Sequence, residues 1–214
     1  MRQHLERVFF ALENGRMDEI GMDWEYGDDL QQREEDLQEA GFDAYCLFSM
    51  TDSEIHLAQE FNYLNKNCLA LPFLRIKRAR EAGKGVLTQV PLLQGYVFIF
   101  VPKGYEVASL QRGEIAYRIL GRREGADILA GEDLEYAKWV LKQRGVLDVS
   151  KAIEINDRVK IISGPLLDLQ GCIIGFSRRK KNYHVQFEMM GHTVDVWLPY
   201  ELMEPAGEWR GKDG

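Results

Sequence analysis

The stretch from Asn156 to Ile174 constrains the fold of this chain more than any other. Polar and apolar residues alternate through Val159-Lys160-Ile161, as on a half-buried strand. Gly164-Pro165 stops that strand, because proline has no N–H for a ladder and glycine turns the chain. A short hydrophobic arc through Leu166, Leu167 and Leu169 leads to Gly171. Gly171 is expected to open a second strand, where a missing side chain lets another segment approach closely. A strand, a Gly-Pro turn, an arc and a second strand are the turn chemistry of a small β-barrel of SH3 type.

The chain has 214 residues, between one and two domains, and 45% of them are hydrophobic, enough to bury real cores. No apolar run approaches the roughly 18 residues of a membrane span, and the N-terminus lacks a signal-peptide pattern. Cys46, Cys68 and Cys172 are odd in number and far apart, with neither metal-ligand spacing nor a disulfide framework. They are expected to be reduced core residues of a cytoplasmic protein. The net charge of −7 is unevenly spread. Residues 1–42 hold 4 Lys/Arg against 12 Asp/Glu, while the remaining residues hold 23 against 22. Acidity belongs to a leading segment and does not exclude a polyanionic partner for the rest.

Residues 1–42 read as an acidic helical extension. Leu5, Val8, Phe9 and Leu12 form one helical stripe that Asn14-Gly15 stops, and a second helix spans 28–40. The charge asymmetry suggests that this arm covers a basic surface. Residues 43–51 read as a buried strand, followed by a helix capped by Thr51 or Ser53 with Ile55, Leu57, Ala58, Phe61 and Leu64 inward. A short strand at 68–74 precedes Arg75-Ile76-Lys77-Arg78-Ala79-Arg80-Glu81-Ala82-Gly83-Lys84-Gly85, which holds five cations in ten residues. The most apolar segment, 91–101, reads as a central strand whose start Gly95 interrupts. A helix-like piece at 106–112, a strand at 115–120 and a helix at 133–142 complete an α+β sandwich. Residues 143–155 are expected to link it to the domain at 156–205, with 206–214 as a tail.

Three stretches carry a family resemblance. Asn156 to Ile174 resembles the KOW motif. Tyr45-Cys46-Leu47-Phe48, with Thr51 and Glu54 after it, resembles the first strand and helix start of the NusG N-terminal (NGN) domain. Pro91-Leu92-Leu93-Gln94-Gly95-Tyr96-Val97-Phe98-Ile99 resembles that domain's Phe-Pro-Gly-Tyr-Val strand. The chain is identified as similar to the NusG family of transcription elongation factors over about residues 43–205, and within it to specialised paralogues of the LoaP, RfaH and UpxY kind. It departs from the family at Ala44, where a tryptophan is usual, and at Gln94, where a proline is usual. The fold so implied is α+β: an NGN-type sandwich at 43–142, then a small SH3-like KOW β-barrel at 156–205.

The resemblance implies a polymerase-binding surface on the first domain at Tyr45, Leu93, Tyr96 and Phe98, since such factors bind the clamp helices of RNA polymerase through an apolar depression. Strand alternation puts Tyr96 and Phe98 on one face, the expected partner face. Nucleic acid is expected at two basic segments: Arg75, Lys77, Arg78, Arg80 and Lys84 beside non-template DNA, and Arg178, Arg179, Lys180 and Lys181 on a hairpin tip beside nascent RNA. Tyr183 and His184 next to that tip are suited to RNA, and Trp197 is expected to point outward as part of a partner surface.

Nothing in the sequence supports catalysis. His4, His56, His184 and His192 have no metal spacing, and neither a nucleophile elbow nor a phosphate loop is present. The expectation is therefore a monomeric, non-enzymatic antitermination or elongation factor without a cofactor. Its partners would be polymerase, RNA, and a ribosomal protein or termination factor. The alternatives are a ribosome- or RNA-associated KOW protein and a protein-interaction adaptor.

Overall fold

The most apolar segment of the chain lies at the centre of the first sheet, because a strand without polar alternation must be covered on both faces. The structure, a computed structural model, describes residues 23–49, 52–81, 84–120, 128–155 and 158–203. It is mixed α+β, mostly sheet, with four α-helices among the described residues. The first sheet contains β1 (Phe42–Ser49), β2 (Leu69–Pro72), β5 (Tyr96–Pro102) and β6 (Tyr117–Ile119), in the spatial order β2-β5-β1-β6. From Val97 to Val101 every residue of β5 is fully buried. The expected strand at 91–101 thus begins only at Tyr96, and residues 92–95 form a turn.

That turn requires its glycine. Gly95 has φ 84°, and a Cβ there would lie 2.8 Å from the Ser49 carbonyl oxygen. Its amide donates to Oε1 of Glu54, a carboxylate only 2% exposed at the start of α2 (Glu54–Leu64). α2 buries Leu57, Ala58 and Phe61, and Phe61 meets Tyr117 edge-on at 6.5 Å. Asn62 on the same helix clamps the β2 backbone: its Nδ2 donates to the Ala70 carbonyl at 2.8 Å and its Oδ1 accepts from the Ala70 amide at 2.7 Å. The 106–112 piece is a single 3-10 turn, Val107–Ser109, tied down where Asn65 bonds both backbone groups of Gln111.

In the described part of the leading segment, α1 (Asp28–Ala40) buries Leu30 and Leu37 and ends at Gly41. It packs on β2 and β5, and Arg33 donates to the carbonyls of Asn62 and Cys68 at 2.8 and 3.3 Å. The Leu5–Leu12 stripe, Asn14-Gly15, the Thr51 cap and the tail at 206–214 lie outside the described residues.

The basic segment is a β-hairpin, β3 (Leu74–Glu81) with β4 (Lys84–Pro91), joined in parallel by β7 (Val146–Leu147) beyond α3 (Gly131–Lys142). The expected linker at 143–155 is therefore ordered structure: β7 completes this sheet, and β8 (Ser150–Ile155) begins the next one. Apolar positions at Val146, Leu147 and Ala152, the last two fully buried, make strands of what composition suggests is a spacer.

The C-terminal sheet has the order β10-β11-β12-β8-β9, with β9 (Arg158–Ser163), β10 (Ile173–Ser177), β11 (Asn182–Met189) and β12 (His192–Leu202). The hydrophobic arc is a one-turn helix, α4 (Pro165–Asp168), with Leu166 fully buried. The close approach expected at Gly171 occurs instead at Gly164. At φ 92° a Gly164 Cβ would lie 2.8 Å from Ser150 Cα, whereas nothing lies within 4 Å of a Cβ at Gly171. Buried apolar residues of all three sheets form one continuous cluster, from Trp24 to Tyr200.

Candidate nucleic-acid interface

On β12 the alternation holds as read from the sequence: Val194, Val196 and Leu198 are buried, and Trp197 is 42% exposed. In register, Trp197 sits opposite His184 of β11, and their rings stack at 4.5 Å with planes 7° apart. Asp195 holds the imidazole in its plane of stacking, with Oδ1 2.5 Å from His184 Nε2, and accepts from Gln186 at 3.3 Å. Two flat rings are thereby fixed on the outer face of the sheet, and the local carboxylate is already engaged. Tyr183 is buried, its hydroxyl donating to the Val159 carbonyl at 3.2 Å, and so serves the core rather than a partner surface.

The tip from Arg178 to Lys181 joins β10 to β11 as a four-residue turn, in which the Lys181 amide donates to the Arg178 carbonyl at 3.2 Å. All four cations of the tip are exposed. Arg178 forms an ion pair with Glu154 at 2.6 Å, so the tip is partly neutralised by β8.

β3 runs alongside the C-terminal sheet, where Arg78 donates to the Tyr200 carbonyl at 3.2 Å. The two expected basic segments thus meet. Between them lies a groove of about 700 Å³ lined by Arg75, Lys77, Arg78, Lys180, Asn182 and Trp197, among others, with Asp195 as its acidic member. Partial burial lowers the Arg75 pKa, yet a guanidinium stays charged at that cost. No ion pair to Arg75, Lys77, Arg78 or Lys180 occurs among the described residues. Arg80 and Lys84 occupy the far end of the hairpin, and their side chains lie outside the described residues.

The four residues expected to face polymerase are not brought together. Tyr45 pairs with Ile99 and Phe98 with Cys46, so Tyr45 points to the opposite face of the sheet from Phe98 and Tyr96. Phe98 is fully buried against Phe73 at 6.2 Å, and Phe73 meets Trp139 of α3 at 5.7 Å. At Phe98 the expected partner face is therefore filled by Phe73, itself packed on α3, which corrects the placement of Phe98. Tyr45 is 5% exposed and Leu93 9%. Of the four, only Tyr96 is partly open, lying between Phe48 at 5.2 Å and His192 at 5.6 Å, with Arg118 over the Phe48 ring at 5.1 Å. Burial raises the Tyr96 pKa.

Asp168 was not singled out by the sequence. It accepts from Trp139 Nε1 at 3.2 Å, Lys142 Nζ at 2.7 and 2.9 Å, and Gln143 Nε2 at 3.1 Å. Phe187 stacks on Tyr136 and meets Trp139 edge-on, both at 5.9 Å. The second half of α3 is thus fastened to Asp168 at the end of α4 and to Phe187 of β11. No set of three or more His, Cys, Asp or Glu residues suited to a metal occurs among the described residues. No described helix is long and apolar enough to cross a membrane.

No family model matches the chain, and no curated protein matches it.

Proposed function

We propose that this chain is a transcription elongation or antitermination factor of the NusG type, acting without chemistry of its own. The observation that carries the reading is the order of units. A helix-flanked antiparallel sheet centred on β1 and β5 is followed by a small sheet built on a strand, a Gly-Pro turn, a hydrophobic arc and a strand. In this reading the first unit is an NGN domain and the second, from Ser150, a KOW barrel. The NGN unit bridges the polymerase clamp, and binding the closed clamp more tightly than the open one shifts the population toward elongation.

On this reading Tyr96, with Phe48 and Arg118 beside it, is the part of the sheet that meets polymerase, while Phe98 supports that face from the core. His192 occupies Tyr96 in the described arrangement, so the C-terminal unit and polymerase compete for that ring. The exposed cations of the tip then serve nascent RNA.

The test is capture of bacterial core RNA polymerase by the full chain. Retention that Tyr96→Ala weakens supports the reading. Absence of retention, with RNA still bound, transfers the protein to the class of RNA-associated KOW proteins. The groove beside Trp197 favours that second reading over a peptide adaptor.

A further inference from the structure

The two basic segments, read separately in the sequence, share one space. We infer that the groove between β3 and the C-terminal sheet is a composite site for a single-stranded polynucleotide, with a base stacked on Trp197 and the backbone phosphates on Arg75, Lys77 and Arg78 from one wall and Lys180 from the other. The proposal rests on the nucleic-acid part of the reading above and is independent of polymerase capture.

Three observations point to this ligand class. First, the walls carry four cations with no ion pair among the described residues, whereas the single carboxylate, Asp195, is engaged by His184 and Gln186. The groove therefore favours a polyanion, which releases counterions on binding. Secondly, the indole of Trp197 is stacked on the parallel His184 ring, is 42% exposed, and lines the groove. A prefixed aromatic plane beside cations accepts a base of any identity, because every base has a π-face. Thirdly, a duplex keeps the faces of its bases stacked on one another, so only an unpaired strand can lay a base on the Trp197 ring. A volume of about 700 Å³ falls in the range of ligand pockets, roughly 300–1,000 Å³.

The composite nature of the site is the part of the inference that neither unit shows alone. β3 supplies three cations and no exposed ring, and the C-terminal sheet supplies the ring and one lining cation. A strand held by both walls keeps the two units together, and their separation opens the site.

The experiment is fluorescence anisotropy of the full chain with a labelled single-stranded RNA of about 12 nucleotides, within the range that one small barrel engages, the matching single-stranded DNA and the annealed duplex, over a salt series. Lys77→Glu, Lys180→Glu, Trp197→Ala and Trp197→Phe are compared; all three positions are exposed, and circular dichroism checks folding. Lys77→Glu and Lys180→Glu are each expected to weaken single-strand binding about tenfold at low salt and to flatten its salt slope by about 0.7 for each phosphate no longer neutralised. Trp197→Ala is expected to cost about fivefold or more, with Trp197→Phe retaining most of the affinity. Preference for RNA assigns the strand to the transcript, and preference for DNA to an unpaired DNA strand. Wild-type affinity in Lys77→Glu overturns the composite site, and wild-type affinity in Trp197→Ala overturns stacking. Equal binding of the duplex, or equal displacement by polyglutamate, overturns the assignment to a single-stranded polynucleotide. Polymerase capture is scored separately with the same variants, so either reading can fail while the other stands.

Discussion

The hydroxyl of Tyr96 lies 2.6 Å from Nε2 of His192, ninety-six residues away, joining the edge of the central strand to the start of β12. This bond, the Asp168 cluster and the Phe187 aromatic contacts fasten the two units along a single seam. A hydrogen bond of this kind contributes about 0.5–1.5 kcal/mol. Tyr96→Phe and His192→Ala are expected to show a coupling energy of that size in a double-mutant cycle of urea unfolding. Strictly additive losses would mean that the hydroxyl–imidazole bond does not form in solution. If polymerase competes for Tyr96, His192→Ala also raises polymerase capture.

Phe98 belongs to the core, and Phe98→Ala is expected to destabilise the fold by about 3–5 kcal/mol. Chemical denaturation measures this directly. A loss below about 1 kcal/mol would return Phe98 to the surface and restore it as a contact residue.

Two glycines in the stretch from Asn156 to Ile174 should behave in opposite ways. Gly164 has φ 92° and ψ −179°, a conformation open almost only to glycine, and its neighbour Ser150 leaves no room for a Cβ. Gly164→Ala is expected to cost more than about 1–3 kcal/mol of strain, and Gly171→Ala to be near neutral. Thermal unfolding of the pair checks the contrast, and equal shifts in Tm would refute it.

Asn62→Ala removes both partners of the buried Ala70 backbone groups. Each orphaned group costs about 1–3 kcal/mol, so a loss of at least about 2 kcal/mol is expected. Hydrogen exchange of the Ala70 amide should accelerate with it; unchanged protection at Ala70 would show that the clamp is dispensable.

Burial pushes the Cys68 thiol up to about 11 and raises Cys46 beyond the ordinary range. In the unfolded chain thiols ionise near about pH 8.5, while the folded protein keeps these two protonated. Their contribution to stability is therefore complete below about pH 8.5 and falls as pH rises toward about 11. Denaturation midpoints measured across that window should decline, less so in Cys68→Ala. Under native conditions a thiol reagent should modify the half-exposed Cys172 first; faster labelling of Cys46 would contradict its burial.

Local alternation made the second half of the chain the more legible. Val194, Val196 and Leu198 inward with Trp197 outward follow from period two alone, and so does the basic tip between β10 and β11. The central strand misled, because an unbroken apolar run does not say which face is free, and here neither is. The 143–155 segment misled for a related reason. Its residues pair with strands far away in sequence, β3 and β12, and such partners leave no local periodicity to read.

From its residues alone the chain determined its mixed α+β class, the helices at 28–40 and 54–64, the inward–outward alternation of the last strand, and that its cations come in two clusters. Spacing along the backbone decides these matters. Tertiary structure alone decided that Arg75, Lys77 and Arg78 face one groove with Lys180, that Asp168 fastens a helix, and that Tyr45 and Tyr96 lie on opposite faces of one sheet. Each depends on the register and docking of elements far apart in the chain, set by the packing of one shared core and not by any single segment.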